Sequence, residues 1–210
     1  TQPGSVANWT EQQIAQKLNA ITNSFAKYFM QGDSSTDPKQ FDGLNKKIVS
    51  SQVFSTPIDV SVLDDAKALQ AEVAINKVIA AIHPKRPNVV ITTYEGKAIL
   101  SALNSYRHRG TDVIDVNGQA YDQYMGMPII AVTDDCFAES DKQIGTPVVF
   151  ALFDEMDGVR VSIPMDGEIV KILPPKFENG KVVERGACEM ACAPLFANPF
   201  AVAKCYLGES

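Results

Sequence analysis

The chain has 210 residues, 45% hydrophobic and 21% charged, with a net charge of −6. That is the balance of an ordinary globular chain, long enough for one large domain or two small ones sharing a core. It argues against a dedicated nucleic-acid-binding surface, which needs clustered Lys and Arg, and no apolar run approaches the ~20 residues that cross a bilayer.

The first element predicted is a long helix over Thr10 to Gln31. Thr10 and Gln13 have the spacing of a capping box, and Ile14, Leu18, Ile21, Phe25 and Phe29 form one apolar stripe. Gly32 stops it. A polar turn leads to Phe41-Asp42-Gly43-Leu44 and a short amphipathic piece ending at Val49. Ser50 to Ile58 reads as extended and loop-like. A second helix is predicted over Val62 to Ala81, with Val62, Ala66, Leu69 and Val73 on one face and Ile75, Val78, Ile79 and Ile82 widening it. Asn88 to Thr92 reads as a strand that runs into a third helix, capped by Thr92 with Glu95 three residues on and ending near Tyr106.

Asn104 to Ala120 reads as a loop. Gly126 and Pro128 then punctuate a turn, and Ile129 to Val132 is a short apolar run suited to a buried strand. Thr133 to Gln143 reads as a second loop, and both loops are expected to be mobile in an isolated subunit. Ile144 to Phe153 is apolar, but Pro147 marks it as an edge strand or an irregular start. Asp154 to Gly158 reads as a turn, Val159 to Ile163 and Glu168 to Leu173 as strands, and Pro174 to Gly180 as a loop. Val182 to Pro194 and Phe200 to Leu207 are the last strands. The order is α+β with a mixed or antiparallel sheet, not a regular βαβ alternation.

Chemistry-bearing motifs are few. No phosphate loop, dinucleotide fingerprint, nucleophile elbow or His-Glu-x-x-His stretch occurs. Asp134-Asp135 is the best carboxylate pair; a solvated turn is its commoner meaning and a metal site the sharper one. The basic cluster Tyr106-Arg107-His108-Arg109-Gly110 suits a solvated loop better than a phosphate site. Asn8-Trp9-Thr10 matches a glycosylation sequon, relevant only in a secreted eukaryotic protein. Cys136, Cys188, Cys192 and Cys205 form no Cys-x-x-Cys pair. Cys188 and Cys192 would share a face if their segment were helical. Small apolar neighbours suit reduced, metal-free packing thiols, and the two histidines, His83 and His108, stand apart. No catalytic, cofactor-binding or metal residues are assigned.

Several segments together resemble the major capsid proteins of tailed bacteriophages, whose fold encapsulin shells share. The long helix followed by Phe41-Asp42-Gly43-Leu44 resembles the family's spine helix and the turn after it. Val89-Val90-Ile91-Thr92-Thr93-Tyr94 and Gly126-Met127-Pro128-Ile129-Ile130 resemble the strand-into-helix and turn-strand of its axial domain. Val149 to Ile163 is similar to peripheral-domain strands, and Ala193-Pro194 with Asn198-Pro199-Phe200-Ala201-Val202 to the closing strands.

The resemblance implies an α+β capsid fold. Its peripheral domain would hold the spine helix and antiparallel strands, and its axial domain a mixed sheet flanked by helices. The implied division is 1–58 peripheral, 59–145 axial, 146–193 peripheral strands and 194–210 returning to the axial domain. The family's N-terminal arm and extended loop are expected to be missing, as in a truncated chain or proteolytic core. The implied function is structural, not enzymatic: a subunit of an icosahedral phage or prophage capsid that self-assembles into pentamers and hexamers around the genome. Implied partners are other copies of the chain, with scaffold and portal proteins, and neither sequence-specific nucleic acid nor membrane. The implied location is the virion capsid, with host cytoplasm during assembly. An encapsulin-like protein shell is the alternative. A small metal-dependent hydrolase using Asp134 and Asp135 is the alternative of another class. The helix stripe is expected to pack around Val149 to Ile163, with Phe25 the more buried residue.

Overall fold

A computed structural model describes residues 4–38, 40–61, 63–106, 113–116, 118–163, 170–177, 184–190 and 192–208, with side chains from residue 12 onward outside 170 and 172–191. Helix α1 spans Gly4–Gln31, α2 Leu44–Lys47, α3 Asp65–Ala81, α4 Tyr94–Tyr106 and α5 Glu139–Lys142. Strands are β1 Val53–Asp59, β2 Val89–Thr93, β3 Val113–Val116, β4 Gln119–Tyr124, β5 Met127–Val132, β6 Thr146–Ala151, β7 Val159–Ser162, β8 Val170–Phe177, β9 Glu184–Met190, β10 Ala193–Phe196 and β11 Val202–Gly208.

Seven strands form one mixed sheet in the order β1-β11-β6-β2-β5-β4-β3. β1 pairs with β11 in parallel, and β2 with β5 in parallel; β6 runs antiparallel to both β11 and β2. β11 is buried from Val202 to Leu207, and β6 from Pro147 to Ala151. Such near-continuous apolar burial is the mark of strands covered on both faces. Two further antiparallel pairs, β7 with β10 and β8 with β9, lie outside this sheet.

The sheet takes in β1 and β6, although the division expected from the sequence gave 1–58 and 146–193 to the peripheral domain. β6 is internal, so the edge-strand reading of Ile144 to Phe153 is corrected. Pro147 is tolerated because the β2 ladder covers only Val148 to Ala151, which leaves Pro147 beyond it. The Pro147 carbonyl instead accepts the Thr92 hydroxyl at 2.8 Å. That bond also corrects the cap of α4: the Thr93 hydroxyl, not that of Thr92, accepts the Gly96 N–H at 3.1 Å.

Helix α1 has 28 residues, roughly 42 Å at 1.5 Å each, and begins before the expected cap at Thr10. Ser5 to Trp9 contain no breaker, and extending an existing helix is far easier than nucleating one. In α3 the cap is Asp64, whose carboxylate accepts the Lys67 N–H at 2.7 Å. The expected face is corrected in part: Ile75, Val78, Ile79 and Ile82 are buried as expected, whereas the Ala66, Leu69 and Val73 side is not. Ala68, Ala71, Ile75, Val78 and Ile79 are buried, whereas Leu69 and Val73 are 52% and 47% exposed. Small alanines let α3 lie close to the sheet, and that close approach outweighs the larger side chains one position over. Ile75→Ala should therefore lower stability by about 2–5 kcal/mol in chemical denaturation, and Leu69→Ala by no more than about 0.5 kcal/mol.

Two expected loops contain strand. β3 lies within 104–120 and pairs as a hairpin with β4, which starts there and runs on to Tyr124, and β4 leads into β5 through Met125 and Gly126. Both of those residues have positive φ, 51° and 82°, as a two-residue hairpin turn of the primed type requires. Strand β8 passes through Pro174 and Pro175, where a loop was expected. Its register with β9 shifts between Leu173 and Lys176, so the prolines sit at the irregularity.

Candidate assembly surfaces

Helix α1 ends in a backbone junction. The Gly32 N–H donates to the Tyr28 carbonyl at 2.7 Å, and the Gly43 N–H donates to the Gly32 carbonyl at 2.8 Å. A Cβ on Gly32 would lie 2.3 Å from the Phe41 carbonyl oxygen, and one on Gly43 would lie 2.7 Å from the Gly32 nitrogen. Backbone stands on both sides, so only glycine fits. This is the physical content of the Phe41-Asp42-Gly43-Leu44 turn: Phe41 meets Phe25, Gly43 allows contact with α1, and Leu44 is wholly buried.

Charge closes the same junction on its outer side. Lys46 Nζ bridges Asp33 and Asp42, and Lys47 Nζ lies 2.9 Å from Asp42. Hydrogen bonds from Lys46 first, then from Ser35 to Asp33 and from Ser34 to Asp42, hold both carboxyls well below the usual carboxylate range. A second cluster joins Lys85 to Asp154 at 2.9 Å and Asp157 at 3.0 Å; the Lys85 bond draws the Asp154 carboxyl down to about 2.

The stripe of α1 is half-buried at Ile14, Leu18, Ile21, Phe25 and Phe29, and Met30 is its buried apolar residue. Phe29 stacks on Phe153 with centroids 6.2 Å apart, inside the expected window, while Phe25 lies between Phe29 and Phe41. The helix also packs on α2, on the 3-10 turn 134–136 and on β9. Phe25 is thus less buried than expected. Phe25→Ala should cost roughly 1–3 kcal/mol, below the ~3–5 of a fully buried Phe, and Lys17→Ala should leave the denaturation midpoint unchanged.

Asp134 and Asp135 are exposed on that 3-10 turn, and the side-chain amide of Gln31 donates to the Asp135 carbonyl. Among the described residues no group of three or more His, Cys, Asp or Glu is placed to hold a metal. Open clefts lie elsewhere: one of about 580 Å³ between β1 and α3, another beside Phe41, Asp42 and Pro194. Cys136 and Cys205 are buried free thiols and Cys192 is partly buried. Burial pushes Cys205 up to about 12. Cys188 lies on strand β9, not a helix, so it and Cys192 have no helical face to share. His83 packs against the Phe200 ring. The basic cluster beyond Tyr106 falls outside the described residues.

The 133–143 stretch is anchored rather than a free loop. Cys136 and Phe137 are buried, and Asp141 sits at the centre of a buried polar network that sequence reading missed. Its Oδ1 accepts from Lys204 Nζ and from the Tyr206 hydroxyl, each at 2.8 Å. Its Oδ2 accepts from Asn45 Nδ2 at 3.1 Å, and Lys204 Nζ also donates to Asn45 Oδ1 at 2.7 Å. Burial pulls the Asp141 carboxyl up, but the Lys204 and Tyr206 bonds, the Lys204 charge and Asn45 outweigh it and hold it low. Burial, and then the Asp141 carboxylate, push the Tyr206 hydroxyl well above its ordinary range. One signal was available: Lys204 is a lone charge within Val202-Ala203-Lys204-Cys205-Tyr206-Leu207, and a buried charge needs a partner.

No protein-family model matches the chain, and no curated protein matches its sequence. Solved structures match its fold. The encapsulin of the holo-SrpI complex from Synechococcus elongatus PCC 7942 aligns at a TM-score of 0.64 and 12% identity, over 93% of this chain and 64% of that one. A protein described as a prophage capsid protein of E. coli CFT073 aligns at 0.57 and 14% identity, over 99% and 71%. The capsid of a native GTA particle aligns at 0.55 and 12% identity, over 97% and 66%. The chain spans about two thirds of the length of these structures. Its fold, with a long helix ending at the Gly32–Gly43 junction and a seven-stranded mixed sheet, is the one shared by phage-type capsid proteins and encapsulin shells.

Proposed function

We propose that the protein is a structural subunit of an icosahedral phage or prophage capsid, assembling through copies of itself into pentamers and hexamers around the genome. The observation that carries this is the fold likeness over nearly the whole chain to two capsid proteins and one shell protein. Head-to-tail contacts that close into rings are the geometry such an assembly needs. The net charge of −6 suits a wall that encloses DNA without adhering to it. An axial body of residues 53–151 with β11, and a peripheral body of α1 with β7 to β10, is the division the sheet supports best. Scaffold and portal proteins are the expected further partners, and the virion, with the host cytoplasm during assembly, is the expected location. Among the described residues no helix is long and apolar enough to cross a membrane.

The encapsulin structure aligns at the higher TM-score, which keeps a protein-filled shell as the second reading. The hydrolase reading is the weaker one: Asp134 and Asp135 are exposed, and among the described residues no group of three or more His, Cys, Asp or Glu is placed to hold a metal. Negative-stain microscopy of the purified protein tests the proposal, with five- and six-fold rings or closed shells expected. Nuclease-protected DNA inside the particles favours the capsid, protein cargo the encapsulin. Particles that stay monomeric at every concentration would count against both.

A further inference from the structure

The seven-stranded sheet ends in two different edges, β1 on one side and β3 on the other. Followed through the pairings of β11, β6, β2, β5 and β4, the two outer strands run in the same direction. One edge of a copy can therefore face the other edge of the next without either being inverted. The β1 edge is not built to extend the ladder. Pro57 and a register shift between Phe54 and Ile58 interrupt it, devices that keep an edge strand from indiscriminate pairing. Contact there has to come from side chains. The open cleft of about 580 Å³ beside β1 is walled on its far side by α3, at Gln70, Ala74 and Lys77 among others. Leu69, Val73 and Lys77 recur every fourth residue, so they form one oblique line along α3 that ends at the cleft. Leu69 and Val73 are the exposed large apolar residues of this helix, and Lys77 is exposed too. On the opposite edge Val113 is 58% exposed, and Asp115 is exposed on the same face of β3. Val73 to Lys77 spans ~6 Å of helix, and Val113 to Asp115 ~6.6 Å of strand. The two pairs share one pitch, each with an apolar residue beside a charge, and the charges are opposite. The described residues of β3 and β4 include Asp115 and Asp122 and no cation, and Asp122 is already paired with Lys97.

We propose that these two edges are the head-to-tail contact between copies of this chain. The β3 edge of one copy seats on α3 beside the β1 cleft of the next, with Val113 against Val73 and Asp115 against Lys77. This rests on the shell reading and names the surfaces through which its rings close. Different patches of the two copies meet, and contacts of that kind make rings when the rotation closes. Apolar side chains leaving water supply the attraction. The Lys77–Asp115 pair sets the register, because any alignment that brought like charges together would be repelled. The Asp115 Oδ1 accepts the Gly118 N–H at 2.7 Å, which holds the carboxylate in place on the hairpin.

Native mass spectrometry of the chain and its variants reads this contact. Lys77→Glu and Asp115→Lys each set like charges against one another at every interface. Each alone should need at least roughly tenfold more protein than wild type to form rings. Mixed in equal amounts, the two variants restore opposite charges only where they alternate around the ring. Six copies can alternate and five cannot, so the mixture should regain the six-copy mass and not the five-copy mass. Asp115→Asn keeps the acceptor for the Gly118 N–H and removes the charge, so it should weaken ring formation with the hairpin turn intact. Wild-type rings together with unchanged ring formation in Lys77→Glu and Asp115→Asn would overturn the contact and leave the shell reading standing. So would a mixture of folded variants that regains both masses alike, or neither. A wild type that stays monomeric at every concentration overturns the shell reading, and this contact with it.

Discussion

Asp141→Ala is expected to lower stability by about 3–5 kcal/mol, because it leaves the Lys204 ammonium buried beside groups that cannot neutralise it. Against a total of roughly 5–15 kcal/mol, that loss should move the denaturation midpoint far toward zero denaturant. Replacing one partner is worse than replacing both. A Lys204→Met/Asp141→Leu double variant, which keeps volume but removes the charges, should recover much of the loss, since the cost lies in the orphaned charge.

The pH dependence has a definite sign. The Asp141 carboxyl is held low in the folded protein. Its contribution is therefore present above the ordinary unfolded value of about 4, and is lost as pH falls through the lower folded value. Wild-type stability should fall below about pH 4 more steeply than that of Asp141→Asn. Parallel acid limbs for the two proteins would show that the network is not what couples this region to pH.

Gly43→Ala is the second large effect. The added methyl would stand 2.7 Å from both the Gly32 nitrogen and the Tyr28 carbonyl oxygen, all backbone atoms at the end of a helix. No side-chain rotation relieves that contact, so α1 must separate from the turn and the Gly43-to-Gly32 hydrogen bond must lengthen. A cost at the upper end of the ~1–3 kcal/mol for overpacking is expected. Gly118→Ala is the contrast. Nothing lies within 4 Å of its Cβ position, so only its positive φ of 80° resists the change. A cost of about 1 kcal/mol is expected there, and equal midpoints for the two variants would refute the reading of the spine junction.

Local signals were legible and long-range pairing was not. The stripe from Ile14 to Phe29, the Gly32 stop and the Gly126 turn rest on periods and backbone angles that neighbouring residues dictate. The Phe41-Asp42-Gly43-Leu44 turn was visible as a resemblance, and its cause emerges from the close approach of two backbones. The placement of β1 beside β11 depends on residues some 150 apart, so no window of sequence contains it. On α3, Ile75, Val78, Ile79 and Ile82 were read correctly, but Leu69 and Val73 drew attention away from Ala68 and Ala71, whose small size is what permits close packing. Asp141 was missed for a related reason: it sits in a polar stretch, and its partners Asn45, Lys204 and Tyr206 come from distant segments. Lys204, alone among apolar neighbours, was the residue whose chemistry demanded an explanation.

The central claim is that this chain is a shell subunit, and the most direct measurement is its stoichiometry by native mass spectrometry across a concentration series. The account predicts masses at five and six times the 22.8 kDa chain, giving way to closed particles as concentration rises. A single monomeric mass at every concentration would contradict it.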